Sequence, residues 1–124
     1  VKAEIEKALE DLEVLKKDAE TMKAPGTSQY NPGWHEALAM RSLLVTSEVV
    51  ARAALMREES RGAHTREDFP GENEEWVQYN VIIKKGANGM EVEKRMRPDP
   101  PPHLKEIAHA KIEDLESGKV GADA

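Results

Sequence analysis

Residues 33–60 read GWHEALAMRSLLVTSEVVARAALMREES, and residues 61–70 continue with RGAHTREDFP. The first segment predicts a long helix over about residues 34–60. Three charged side chains interrupt its central part: Arg41, Glu48 and Arg52. At about 100° per residue they fall in one narrow stripe. Most of the remaining circumference is apolar, and a helix that is apolar on most sides is normally buried on most sides. We therefore expect this helix to be the centre of the fold.

The composition excludes several classes of protein. The chain has 124 residues, 39% of them hydrophobic and 4% aromatic, which predicts one domain at most with a modest aliphatic core. The net charge of -6, with acids and bases interspersed, gives no basic surface for nucleic acid. No apolar run approaches the roughly 18 residues that cross a bilayer. Without cysteine the chain has no disulfide or thiolate metal site, and a cytoplasmic location is expected.

A second helix is predicted over about residues 1–23. Its apolar residues follow one another in steps of four and three: Val1, Ile5, Ala8, Leu12, Leu15, Ala19 and Met22. This is a heptad seam, and glutamate and lysine occupy most of the remaining surface. The join at residues 24–33 is rich in proline and glycine and must be a loop. We expect the two helices to pack antiparallel, with Leu12 and Leu15 mostly buried between them.

The C-terminal half predicts a β-hairpin over about residues 76–97. Two stretches in it alternate apolar and polar side chains, and Gly86 to Gly89 supply a turn. A proline-rich stop then opens a last helix over about residues 102–117. The predicted fold class is therefore mainly α: an antiparallel bundle of three helices with a β-hairpin in the C-terminal half.

The limits of the domain follow from these elements. Residues 1–118 form a single domain, and residues 119–124 should fray. Because the chain begins with Val1 rather than methionine, we read it as a piece of a longer polypeptide.

One dense polar segment follows the predicted end of the long helix. Gly62 is placed to take a left-handed conformation just beyond that end. In a catalytic interpretation, His64 is a general base oriented by Asp68, and Arg61 or Arg66 holds an anion. In a structural interpretation, the two arginines bridge carboxylates and loop carbonyls, because a planar guanidinium makes several hydrogen bonds at once. The second interpretation is favoured.

No other candidate for catalysis or metal binding stands out. His35 lies beside Trp34 at a helix start, where capping or packing is expected. His103 and His109 are six residues apart, which places them on different helix faces and disfavours a metal pair. The chain contains no GxGxxG, phosphate loop, HExxH or GxSxG pattern. We expect no catalytic, cofactor-binding or metal-ligating residue in this chain.

Three segments carry a resemblance to a known family. They read NPGWHEAL at residues 31–38, VVARAAL at residues 49–55 and ESRGAHTREDFP at residues 59–70. Together they closely resemble the C-terminal domain of the succinate dehydrogenase/fumarate reductase flavoprotein subunit. L-aspartate oxidase carries a similar arginine–histidine segment. The resemblance is strong over residues 31–70 and weaker through the hairpin to Arg97.

The resemblance implies a function for a larger parent protein. In that family FAD sits in an N-terminal Rossmann-like domain, and succinate and fumarate are interconverted by hydride transfer to and from FAD. This chain alone is expected to lack the cofactor and to be inactive. The implied partners are the FAD-binding domain of the same polypeptide and an iron–sulfur subunit, with the parent attached to a membrane through other subunits. The resemblance assigns a domain-interface role to five residues: Arg61, Gly62, His64, Arg66 and Asp68.

Alternatives remain open at this stage. The sequence leaves undecided the direction of the parent reaction, its electron acceptor and the aspartate-oxidase branch. A free-standing helical interaction module would explain the heptad seam but not the segment SRGAHTRED at residues 60–68. A small hydrolase built on His64 and Asp68 would lack a nucleophile and an oxyanion hole. Finally, any uncovered apolar surface on the long helix should drive self-association of the isolated chain into a homo-oligomer.

Overall fold

The structure is a computed structural model that describes residues 1–118. In chain order it contains α1 (Lys2–Thr21), α2 (Pro32–Met56), a 3-10 helix (Glu74–Gln78), β1 (Tyr79–Gly86), β2 (Gly89–Met96), α3 (Pro102–His109) and α4 (Ile112–Glu116). The prediction of a mainly α fold with a hairpin in the C-terminal half is confirmed. The predicted fraying of residues 119–124 falls outside the described residues.

The helices α1 and α2 pack antiparallel, as the sequence predicts. Lys16 in α1 forms an ion pair with Glu48 in α2, while the backbone N–H of Lys2 reaches Asp68 beyond the other end of α2. The inner face of α1 is formed by side chains that are only partly exposed: Ile5, Leu9, Leu12, Lys16 and Ala19.

The predicted seam is therefore partly wrong. Ala8 is exposed, and Leu15 keeps 51% of its surface in solvent. Leu9 and Lys16 take the corresponding inner positions. Lys16 faces inward because the buried carboxylate of Glu48 requires a cation opposite it.

The helix α2 is covered by α1 and by the hairpin but keeps much of its apolar surface exposed, so the expectation of burial on most sides is also wrong. Leu44 and Glu48 are its two buried residues. Four apolar side chains of α2 remain more than half exposed: Leu38, Leu43, Val45 and Val50. The covered face carries part of the charged stripe, because Glu48 pairs with cations from both helices. Glu48 in the charged stripe thus points inward, whereas Arg41 and much of the apolar surface point outward.

The boundaries of α2 differ from the predicted 34–60. The helix begins at Pro32, after Asn31, whose side-chain oxygen accepts a hydrogen bond from the Trp34 N–H at 3.2 Å. It ends at Met56, because Arg57 is already extended. Gly62 has the expected left-handed conformation, with φ of 59°, but it lies in a later turn and is not the helix cap.

The hairpin pairs β1 with β2 in antiparallel register and packs against α2. It begins at Tyr79 rather than at Trp76. Residues 74–78 instead form a 3-10 turn that buries the Trp76 indole. The guanidinium carbon of Arg57 lies 5.3 Å from the indole centroid and the ammonium nitrogen of Lys94 lies 4.3 Å from it. These contacts favour the turn over continuation of the strand.

The last helix is not continuous, contrary to the predicted span of 102–117. The chain is extended at Ala110 and Lys111, which separates α3 from α4. Leu104 and Ile112 are 48% and 69% exposed. Within residues 1–118, neither short helix packs closely against another helix or strand, so the helical core is a pair rather than three helices. A short helix with no apolar partner has little to hold it together.

Within residues 1–118, no helix is both long enough and apolar enough to cross a bilayer.

Candidate functional site

Arg66 is the centre of the polar segment and is only 2% exposed. Its Nε and Nη2 donate to the two carboxylate oxygens of Asp68 at 2.8 and 2.7 Å. Its Nη1 lies 2.8 Å from the carbonyl oxygen of Ala54, 3.2 Å from that of Leu55 and 3.3 Å from that of Arg57. The last carbonyls of a helix lack partners within the helix. Arg66 therefore caps the C-terminal end of α2.

Asp68 also contacts the other helix. Its Oδ2 accepts a hydrogen bond from the backbone N–H of Lys2 at 2.9 Å, in the first turn of α1. The hydrogen bonds from Arg66 hold the pKa of Asp68 well below its usual range, although partial burial acts in the opposite direction. Asp68 is thus an ionised acceptor with both oxygens in use.

Ser60 holds the loop that carries Arg66. Its hydroxyl accepts a hydrogen bond from the Arg66 N–H at 2.8 Å and lies 2.9 Å from the Phe69 carbonyl oxygen. Its own N–H donates to the carbonyl of Gly71 at 2.8 Å. The Arg66 guanidinium carbon lies 5.0 Å from the Phe69 ring centroid. Backbone and side-chain contacts together fix the position of the arginine.

Glu59 forms a second centre and is 1% exposed. Its carboxylate accepts hydrogen bonds from Arg57 Nε at 2.7 Å, Arg61 Nε at 3.1 Å and the backbone N–H of Asn73 at 3.0 Å. Burial opposes ionisation of Glu59, but the Asn73 N–H and the two arginines outweigh it, so its pKa is lowered. Glu59 therefore ties the segment after α2 to the turn before the hairpin.

Arg61, Gly62 and His64 form a tight turn at the rim of this network. The backbone N–H of Arg61 donates to the carbonyl of His64 at 2.8 Å, and the reverse hydrogen bond measures 3.1 Å. Gly62 permits this turn through its positive φ. The Arg61 side chain bridges Glu59 and Glu72. Arg66, rather than Arg61, is the arginine at the helix terminus, because the helix ends earlier than its sequence predicts.

The geometry does not support the catalytic interpretation. His64 Nε2 lies 3.3 Å from the carbonyl oxygen of Arg57, whereas both oxygens of Asp68 are engaged by Arg66 and Lys2. The structure therefore does not bring His64 and Asp68 together as a dyad. Instead, Arg61 and Arg66 bridge carboxylates and carbonyl oxygens, which is the arrangement that the structural interpretation describes.

The remaining histidines form no site. His35 packs edge-on against Trp34 with ring centroids 5.2 Å apart. His103 and His109 lie on exposed positions of α3. Among residues 1–118, no group of three or more histidine, aspartate and glutamate side chains is placed to hold a metal ion.

A second charged cluster lies under the hairpin turn. Glu48 is 4% exposed and pairs with Lys16 and with Arg52 Nε, the latter at 2.6 Å. Burial raises the pKa of Glu48, but the hydrogen bonds from Lys16 and Arg52 outweigh it, so the pKa is lowered overall. These side chains line a cleft of about 680 Å³ between the helix pair and the hairpin turn.

This cleft does not fit FAD. A dinucleotide pyrophosphate is typically held by a glycine-rich strand–turn–helix unit. The cleft is instead lined by two helices and the hairpin turn that joins antiparallel strands. This cleft therefore offers no such cradle, and no flavin chemistry is assigned to it.

Sequence reasoning missed several members of these networks. The missed residues are Lys2, Lys16, Arg57, Glu72 and Asn73. Lysine and glutamate on a helix normally face solvent, and the backbone N–H groups of Lys2 and Asn73 carry no sequence signal. The buried position of Glu48, the one acid within the central apolar run of α2, was the one available indication of an inward-facing ion pair.

An antiparallel helix pair closed by an arginine–aspartate network and followed by a hairpin defines a small, mainly α domain. The profile of the family described as fumarate reductase flavoprotein C-term matches residues 1–114. The chain belongs to this family of C-terminal domains, found in succinate dehydrogenase and fumarate reductase flavoprotein subunits.

Individual relatives agree with the family. The chain is 37% identical over 81 residues to one subunit of the fumarate reductase (CoM/CoB) of Methanothermobacter marburgensis, covering 65% of this chain and 15% of that protein. It is 43% identical over 53 residues to the succinate dehydrogenase flavoprotein subunit of Rickettsia bellii, covering 42% and 9% of the two chains.

A solved structure supports the same fold. Mycobacterium smegmatis Sdh1, determined in complex with UQ1, superposes with a TM-score of 0.78 at 33% identity and covers 93% of this chain and 20% of that one. The chain therefore spans no more than about a fifth of the length of these relatives.

Proposed function

We propose that this chain is the C-terminal domain of a flavoprotein subunit that interconverts succinate and fumarate. FAD and the dicarboxylate would be bound by the rest of that subunit, and FAD would supply the redox chemistry. The match of the family profile to residues 1–114 supports this proposal most directly. The chain itself supplies a rigid body, because every polar group at the centre of its network already has a partner within the domain.

The surface that meets the FAD-binding domain is an apolar groove along one side of the helix pair. We define the apolar groove by Ala8, Leu12, Leu43 and Val50. Leu43 and Val50 are 58% and 62% exposed. The groove lies on the side of the helix pair away from the hairpin cleft, which α1 lines with Glu13 and Lys16.

The partner that covers this groove is an apolar surface elsewhere on the same polypeptide. Contiguous exposed apolar surface of this kind marks an interaction site. The relatives carry at least about four fifths of their length outside the region they share with this chain, which supplies such a partner.

The turn at residues 61–64 forms the second part of the proposed interface. Gly62 and Ala63 are exposed at its tip, and the Arg61 side chain fixes its base through Glu59 and Glu72. We propose that this turn seats the end of α2 against the FAD-binding domain.

The complete subunit would then meet an iron–sulfur subunit in a multi-subunit complex. That complex would face the cytoplasm and attach to a membrane through its other subunits.

The test is Arg61→Ala in the complete flavoprotein, with the exposed arginine of the hairpin, Arg95→Ala, as the matched control. Loss of Arg61 leaves the acceptors on Glu59 and Glu72 with fewer donors, which should loosen the interface and lower the FAD content per polypeptide. Succinate turnover per bound FAD should stay near normal in both variants. A drop of about a thousandfold in turnover per FAD at normal FAD content would make this segment catalytic and overturn the proposal.

A further inference from the structure

We infer that the hairpin cleft, the space of about 680 Å³ between the helix pair and the hairpin turn, is a binding site for a small monocarboxylate with a short aliphatic body. Lys85 pairs with the carboxylate, and the apolar floor of the cleft holds the aliphatic body. Pockets for small molecules typically measure roughly 300–1,000 Å³ and are mainly apolar, with a few polar groups that fix the ligand. The inference goes beyond the proposed function, because this ligand is neither FAD nor the dicarboxylate and undergoes no reaction.

The floor of the cleft is aliphatic on two sides. Val45 and Val49 of α2 line one side, and Ile83 and Met90 of the hairpin line the other. Val45 keeps 51% of its surface in solvent, so the packing of the domain leaves it available to a ligand. Met90 is the register partner of Lys85, and side chains of directly opposed residues lie on the same face of a hairpin. The apolar floor therefore lies directly beside a lysine.

The charges that the helices contribute to the cleft balance one another. Lys16 pairs with both Glu13 and Glu48, and Arg52 pairs with Glu48. These two cations and two acids leave no net charge. Arg52 nevertheless keeps hydrogen-bonding capacity, because a guanidinium carries five N–H donors and the hydrogen bond to Glu48 is made by Nε. Its side chain is 34% exposed, so Arg52 can also donate to a ligand in the cleft.

The hairpin adds one positive charge that nothing in the domain compensates. Two lysines at its end line the cleft, Lys84 and Lys85. The ammonium of Lys84 lies 3.5 Å from the Glu91 carboxylate and 3.6 Å from that of Glu93. Within residues 1–118, Lys85 has neither an ion pair nor a side-chain hydrogen bond. A single surplus cation beside an aliphatic floor fits a ligand with one negative charge and an apolar body.

A titration of the complete flavoprotein with sodium hexanoate tests the site. The methionine methyl groups carry ¹³C, and Met90→Leu identifies the signal of Met90, which lines the cleft. Hexanoate should shift that signal saturably, whereas hexylammonium, with the same chain and the opposite charge, should not. Butanoate should bind more weakly, since each buried CH₂ strengthens binding by up to about fourfold. An unchanged Met90 signal, or equal responses to the anion and the cation, would overturn the inference.

Two lysine variants locate the carboxylate. Lys85→Ala should weaken hexanoate binding about tenfold, because it removes one charge-assisted hydrogen bond. The matched control is Lys17→Ala, which removes an exposed lysine of α1 that does not line the cleft and should leave binding unchanged. Lys85→Arg retains the charge and should retain binding. Equal weakening by Lys85→Ala and Lys17→Ala would show that overall charge rather than this site attracts the anion.

The isolated chain completes the comparison. Hexanoate should bind the complete flavoprotein and the isolated chain alike. Binding to the isolated chain alone would mean that another part of the polypeptide fills the cleft, and would overturn the inference. None of these measurements uses FAD content or succinate turnover, so failure here is distinct from failure of the proposed function.

Discussion

Three charged side chains, Glu48, Glu59 and Arg66, are buried more deeply than the core residues Leu44 and Trp76. Buried charges destabilise a protein unless each is paired, and removing one member of a pair leaves the other uncompensated. Each of the three has at least one oppositely charged partner within the domain. Single substitutions at these three positions should therefore lower stability more than most substitutions of exposed apolar residues in this domain.

Arg66→Ala is expected to lower the free energy of unfolding by about 3 kcal/mol, because it leaves Asp68 and the carbonyls of α2 without their donor. The control is Arg95→Ala, which removes an arginine that is 57% exposed and pairs with Glu93 on its own strand. That variant should change stability by less than about 0.5 kcal/mol. Urea denaturation of both variants measures the difference, and equal midpoints would contradict the prediction.

Stability should fall in acid because the folded state lowers the pKa of four carboxyl groups, Glu48, Glu59, Asp68 and Glu93. A lowered pKa means that the folded state binds fewer protons, so its contribution is complete above the unfolded pKa. For the glutamates that value is 4.5, and the contribution is lost as pH falls from there through the lower folded pKa. Denaturation midpoints should therefore be flat from pH 7 to about pH 5.5 and fall below it.

The variant Glu48→Gln checks the origin of this slope. It removes one of the four carboxyl groups with a lowered pKa, so the loss of stability between pH 5 and pH 3 should be smaller than in the unsubstituted chain. An identical slope in both proteins would show that Glu48 contributes nothing to the acid sensitivity.

The sequence predicted these residues unevenly. The bridging roles of Arg61 and Arg66 followed from guanidinium chemistry and their place after a helix. The pair between Lys16 and Glu48 did not, because helix periodicity treats every lysine as solvated and carries no information about a partner 32 positions away.

At the scale of elements, the register between α1 and α2 decides which leucines matter. Leu44→Ala should cost about 2–4 kcal/mol, since the residue is 7% exposed and its removal leaves a cavity. Leu15→Ala removes the same side chain from a position that is 51% exposed and should cost less than about 0.5 kcal/mol. Chemical denaturation of this matched pair tests the register, and a larger cost at Leu15 would restore the predicted heptad seam.

Element types were predicted well, and element ends were not. The two long helices and the hairpin follow from periodicity alone. The end of α2 at Met56 depends on the guanidinium of Arg66, which lies ten positions beyond it and leaves no local signal. The break at Ala110 and Lys111 contains no glycine or proline, so the sequence carries no signal for it.

For the whole molecule, the exposed apolar groove predicts self-association of the isolated chain. Light scattering over a concentration series should show a rising average mass. Leu43→Glu places a charge within the groove and should suppress this rise. Val14→Glu is the matched control, because Val14 is 57% exposed but lies on another face of α1. A constant monomer mass in the unsubstituted chain, or equal effects of the two variants, would contradict the prediction.

The family could be predicted from the sequence more completely than the tertiary arrangement. The segment SRGAHTRED at residues 60–68 has an unusual composition that indicated the family. The family profile that matches residues 1–114 confirms this prediction. The predicted packing of three helices was wrong, because the prediction assumed that this chain alone covers its own apolar surface.

The exposed groove also has a consequence for the lifetime of the protein in a cell. Chaperones and proteases continuously triage partly unfolded molecules, and a loss of about 1–2 kcal/mol of stability changes steady-state abundance several-fold. A newly made domain whose groove is open would be subject to this surveillance, whereas a docked one would be protected. The amount of the subunit should then follow the rate of docking rather than the rate of synthesis, so that surplus copies are removed.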